Sequence, residues 1–155
     1  MRCRIALICT LLALAAGSTT AAAHPLRAHA LESGINDLRA EHGCEPLRVQ
    51  AGLERAAGRL ARLLLADGEL NHDAGTPFGE RLALAAPAAH LWGENLAWGS
   101  GESAGPDEIV QGWLTSSEHR AIMLDCRFSR VGIGIASGTF GEHRDSTVYA
   151  ADFAA

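Results

Sequence analysis

Apolar positions along this chain recur first at helical and later at strand spacing. Leu31, Ile35 and Leu38 return every three or four residues, which predicts a helix over residues 30–42 with Gly43 as its stop. Leu53, Ala56, Ala57, Leu60 and Leu64 mark one face of a second helix ending near Asp67 and Gly68, with Arg55, Arg59 and Arg62 on its wetter side. A short helix is expected around Phe78–Ala83, then a strand from Leu91 to Trp98. Pro106, Asp107 and Glu108 read as the first turn of another helix, because proline suits the first helical position and acids favour the positive end of the dipole. Ile109, Val110, Trp113 and Leu114 supply its apolar face, and Ser116 or Ser117 is the expected cap of a further short helix reaching Leu124. Val131, Ile133 and Ile135 alternate with small residues, and Thr147–Phe153 forms a second late strand beyond the polar turn Gly141–Ser146. Helices come early and strands mostly late, with few parallel crossovers. The expected class is therefore α+β, with helices packed on an antiparallel sheet.

The first 23 residues do not belong to that pattern. Arg2 and Arg4 open an apolar run from Ile5 to Ala16, followed by small residues ending in Ala21, Ala22 and Ala23. This is the layout of a secretory signal peptide, and cleavage after Ala23 is expected. The run is too short for a comfortable bilayer span, which needs about 20 residues. Residues 24–155 then form one domain, with no transmembrane segment and an exported destination, extracellular or periplasmic. The whole chain carries a formal charge of −5, and without Arg2 and Arg4 the remainder carries −7. Such an acidic surface repels phosphate backbones, which argues against a nucleic-acid partner. Cys3 and Cys9 leave with the signal. Cys44 and Cys126 remain, and in an exported protein they are expected to pair, the alternative being two buried free thiols.

Candidate chemistry concentrates in a few side chains. Of the seven histidines, His29, His42 and His143 lie in polar contexts and read as surface residues. His90 precedes an apolar strand and reads as structural, and His24 would become the new N-terminus. His72 follows the second helix, Glu94 is an acid within an apolar strand between Trp92 and Trp98, and His119 begins the short helix after Trp113. A carboxylate buried in such a strand needs donors, since leaving it unpaired costs several kcal/mol. Taken singly, each of the three suits a structural role as well as a functional one.

Several motifs in order give the trio a context. Gly93-Glu94-Asn95-Leu96-Ala97 resembles the GENL signature of the CAP superfamily of cysteine-rich secretory, antigen 5 and pathogenesis-related proteins. Trp113-x-x-Ser116-x-x-His119-Arg120-x-x-Met123-Leu124 resembles the bacterial form of its cleft helix, and Phe128-x-x-Val131-Gly132-Ile133-Gly134 its following strand. Asn36-x-x-Arg39-x-x-x-Gly43 is similar to the family's opening helix, and Tyr149–Phe153 sits where its closing strand belongs. The resemblance implies a three-layer α-β-α sandwich with a central antiparallel sheet over residues 24–155. It also implies a cleft holding two histidines and two acids. The histidines carry over onto His72 and His119 and the first acid onto Glu94. The second acid's position holds Ser116, as in the bacterial motif, and Glu118 is not promoted in its place because it points elsewhere on a short helix.

Two imidazoles and a carboxylate suit Zn²⁺ or another divalent metal, with His72 and His119 as ligands and Glu94 available as a third. The same three residues also suit a hydrogen-bonded network tying helices to sheet. No residue is plainly set aside as general base or oxyanion stabiliser, and there is no HExxH. The leading expectation is thus a monomeric secreted protein binding a small, lipid-like ligand or a divalent metal in a cleft of His72, Glu94, Ser116 and His119. The alternative is a metal-dependent extracellular hydrolase using His72, Glu94 and His119.

Overall fold

The computed structural model describes residues 20–155, so the expected signal segment, residues 1–23, lies almost wholly outside the described residues. Helix α1 spans Thr20–Glu41, α2 Ala51–Asp67, α3 Phe78–Ala85, α4 Pro106–Thr115 and α5 Ser117–Met123. The strands are β1 (Arg48–Val49), β2 (Trp92–Ser100), β3 (Arg130–Phe140) and β4 (His143–Ala154), and a 3₁₀ turn at Gly101–Ala104 joins β2 to α4. They form one sheet in the order β1-β3-β4-β2. The long pairs β3–β4 and β4–β2 are antiparallel, while the two-residue β1 adds to β3 in parallel.

Alternation along β4 divides the core into two layers. Tyr149, Ala151 and Phe153 face Leu31 and Ile35 of α1, Val110 and Trp113 of α4 and Met123 of α5. Val148 and Ala150 face Ala57, Leu60 and Leu64 of α2, and Ala154 meets Leu53 together with Leu82 of α3. Period-2 side-chain direction puts one helical layer on each side of a single sheet, which gives the α-β-α sandwich. On the α2 side, Gly132 and Gly134 of β3 let the helix lie directly on the strand. A Cβ at either position would run into the α2 backbone at Leu53 or Ala57.

Helix α1 starts ten residues earlier than its apolar spacing predicts, running through Pro25. Proline removes one helical hydrogen bond, but the extra turns find tertiary partners. Arg27 donates to the Ala104 carbonyl and to two side-chain hydroxyls on β4, and Ala28 packs on the core. The turn between β3 and β4 is also tighter than expected, because Phe140 already pairs with His143.

Past α1, Cys44 and Cys126 form a disulfide with 4.9 Å between their Cα atoms, as the cysteine count predicts. The same junction holds a fully buried arginine. Arg39 donates to the carbonyls of Glu45, Met123, Asp125 and Phe128 at 2.8–3.1 Å, tying the loop after α1 to the loop before β3. Burial lowers its pKa, with Asp125 opposing the shift. Among the described residues no helix is long and apolar enough to cross a membrane.

Candidate functional site

Strand β2 is the edge strand, with β4 on one side only. Glu94 and Asp152 are Cα partners across β2 and β4, so both carboxyls point to the α2–α3 side. They are 3% and 0% exposed. Arg81, from the first turns of α3, reaches between them. Its Nη2 donates to Glu94 Oε2 at 2.7 Å, and its Nη1 lies 3.3 Å from both Asp152 oxygens.

The loop after α2 brings His72 to the same group. Asn71 Oδ1 accepts from the Asp73 amide at 2.9 Å, and Asp73 Oδ1 accepts from the Phe78 amide at 2.8 Å, so the loop is pinned to the start of α3. Arg81 Nη2 also donates to the His72 carbonyl at 3.0 Å. His72 Nδ1 then meets Glu94 Oε1 at 2.6 Å. Both Glu94 oxygens are thus engaged, one by the half-exposed imidazole and one by the buried guanidinium.

His119 arrives from the opposite layer. Asn95, pointing to the other face of β2 from Glu94, donates its amide to the His119 carbonyl at 3.0 Å, and Trp113 Nε1 donates to the Leu96 carbonyl at 3.1 Å. These two bonds hold α4 and α5 against the strand. The resulting cleft, about 480 Å³, is lined by His72, Glu94, His119 and Glu118 with Trp92, Phe78 and Ile122. Ser116 lines an adjoining cavity of about 340 Å³ beside Trp113, and His119 borders both. Ser116 occupies the N-cap position of α5, yet its hydroxyl makes no capping bond. Glu118 lines the cleft of His72 and His119, whereas Ser116 lines the adjoining cavity.

Electrostatics set the protonation of the cluster. Burial raises both carboxyl pKa values, and each feels the other. Asp152 is pushed up to about 9, first by burial and then by Glu94, with Arg81 opposing the shift, so it holds a proton at neutral pH. Burial lowers the His119 pKa, and its neighbour His72 lowers it further, which leaves His119 neutral at pH 7. Among the described residues no group of three or more His, Cys, Asp or Glu side chains stands arranged to hold a metal ion.

His72, Glu94 and His119, far apart in the sequence, therefore share one cleft, with Ser116 next door. Arg81 and Asp152 were not expected from the sequence. Asp152 carried the same signal that singled out Glu94, an acid inside an apolar strand. Arg81 carried none, being one more arginine in a short helix.

The sequence model of the CAP, or cysteine-rich secretory protein, family matches residues 33–153. The chain belongs to the CAP family. The CAP domain is 26% identical over 135 residues to the uncharacterized protein YkwD of Bacillus subtilis, an alignment covering 82% of this chain and 51% of that protein. The chain thus spans about half the length of the curated relative it matches. Among solved structures, an outer surface protein from Borrelia burgdorferi superposes with a TM-score of 0.70 at 21% identity, covering 88% of this chain and 94% of that one. An extracellular SCP-domain protein from Bacillus anthracis gives 0.69 at 20% identity, covering 90% of this chain and 45% of its own. At these identities the structures speak for the CAP fold alone.

Proposed function

We propose that this CAP domain is an exported, monomeric binding protein whose cleft takes a small amphipathic, lipid-like ligand. The observation that carries the reading is the mixed lining of the cleft: Trp92, Phe78 and Ile122 offer apolar surface next to the imidazoles of His72 and His119. With Nδ1 donating to Glu94, a neutral His72 presents Nε2 as a lone-pair acceptor. His119, kept neutral by burial, is a second acceptor or donor. A hydroxyl-bearing headgroup suits the imidazoles while a hydrocarbon portion covers the aromatic wall. Export rests on the leader-like residues 1–23 and on relatives described as extracellular or outer-surface proteins. Titration of the purified protein with fatty acids and a sterol, followed through tryptophan fluorescence, tests the proposal. Saturable binding weakened by His119→Ala and by Trp92→Ala is expected. Absence of saturable binding across both lipid classes, or indifference to both substitutions, refutes it.

A second reading is favoured by the His72–Glu94 contact, since a carboxylate behind a histidine is the usual outer support of a metal-bound imidazole. In this reading His72 Nε2 and His119 supply two nitrogens to a divalent ion such as Zn²⁺, and water completes the set. Glu94 serves behind His72 rather than as a third ligand, because binding metal directly would cost it the His72 or the Arg81 contact. The hydrolase alternative draws on the same residues. Metal analysis and Zn²⁺ titration of the protein and of His72→Ala and His119→Ala decide the matter. Metal content unchanged by both substitutions dismisses both the metal site and the hydrolase.

A further inference from the structure

A larger cavity, about 710 Å³, opens where β3 turns into β4, at the other end of the sheet from Asp152. Asp145 on its rim is seven residues along β4 from Asp152, roughly 20 Å at the usual strand rise. Arg27 of α1 lines it, and its guanidinium is held in place. Nη1 donates to the Ala104 carbonyl at 3.2 Å, to Thr147 Oγ1 at 3.1 Å and to the Tyr149 hydroxyl at 3.4 Å. None of these acceptors carries a charge, since burial pushes the Tyr149 phenol up and away from ionisation at neutral pH. The other side of the fork, Nε–H and Nη2, has no acceptor among the described residues, and no carboxylate forms an ion pair with Arg27 there.

The rest of the rim has matching chemistry. Arg144 is exposed and makes no side-chain hydrogen bond among the described residues, and Asp145 beside it forms no ion pair there. Ser137 Oγ lies 3.1 Å from Thr147 Oγ1 and 3.0 Å from His24 Nε2, so hydroxyls line the cavity together with the two arginines. Two guanidinium groups against one carboxylate make this a cationic hollow on a chain of net charge −5. The local pair of cations favours an anion here despite the acidic total. A rigid guanidinium with one open edge matches a carboxylate or phosphate through two parallel hydrogen bonds.

We propose that this cavity is an oxyanion-binding site, with Arg27 as anchor and Arg144 as second cation, taking a small hydroxylated ligand that carries a carboxylate or a phosphate. The site is separate from the histidine cleft and stands whether or not that cleft binds lipid or metal.

Amide NMR shifts of the purified protein, titrated with glucuronate, with inorganic phosphate and with neutral glucose, test it. Saturable shifts at Ser137, Thr139, Ser146 and Thr147 are expected with at least one of the anions and not with glucose, and added salt weakens them. Preference for glucuronate identifies a sugar acid and preference for phosphate a phosphate or its ester, and either supports the site. Arg27→Gln is expected to weaken binding about tenfold and Arg144→Ala about threefold, in line with the strength of charge-assisted hydrogen bonds. Arg27 also anchors α1, so Arg144→Ala, which removes no bond, is decisive should Arg27→Gln fail to fold. No saturable shift at these residues with either anion, or affinity unchanged in Arg144→Ala, overturns the proposal.

Discussion

Replacing Asp152 by asparagine keeps the shape of the side chain and removes a proton that the folded chain holds and the unfolded chain releases. The native carboxyl titrates at about 9 and the unfolded one near 3.8. Between those limits the folded state binds one more proton than the unfolded state, so stability falls as pH rises, by about 1.4 kcal/mol per unit. It is fully present below the unfolded value and lost as pH passes through the folded one. From pH 7 to pH 8.5 the loss amounts to roughly 2 kcal/mol, a large part of an ordinary domain's stability. His119 has its pKa lowered, so it acts with the opposite sign and only below its unfolded value of 6.5, outside this window. Urea midpoints read by tryptophan fluorescence at pH 7, 7.5, 8 and 8.5 should therefore decline for the native protein and stay nearly level for Asp152→Asn. Parallel profiles would show that Asp152 is ionised in the fold.

Three further outcomes follow from the packing. Arg39→Ala leaves carbonyls of Glu45, Met123, Asp125 and Phe128 without their donor, and a loss of at least about 3 kcal/mol is expected in urea unfolding. Gly134→Ala forces a methyl into the α2 backbone at Ala57, which should cost about 1–3 kcal/mol and shift amide signals along α2; wild-type stability would mean the helix does not touch the strand there. Removing the disulfide by Cys44→Ser opens a closure of 82 residues, worth about 4–5 kcal/mol by chain entropy, so Tm should fall well below that of the native form.

Much of the architecture was legible in periodicity. The α2 face from Leu53 to Leu64 and its stop at Gly68 appear as read, and so does the proline start of α4. Two-residue β1 was not legible, because Arg48 and Val49 carry no alternation and become a strand only by lying beside Arg130 and Val131. The early start of α1 was hidden for a similar reason: Pro25 speaks against a helix locally, and the partners of Arg27 are about 80 to 120 residues away. At the site, spacing within motifs pointed to His72, Glu94 and His119, but the partners of Glu94 depend on register. Only the pairing of β2 with β4 sets Asp152 opposite Glu94, and only the placement of α3 beside them lets Arg81 reach both.

The junction after α1 is fastened twice, once by the sulfur bridge and once by the Arg39 guanidinium, and only the first depends on an oxidant. The guanidinium contacts need no oxidant, so the two loops carrying Cys44 and Cys126 are joined by a fastening that a chain still carrying thiols can also make. Folding can thus guide the pairing of the sulfurs instead of waiting for it.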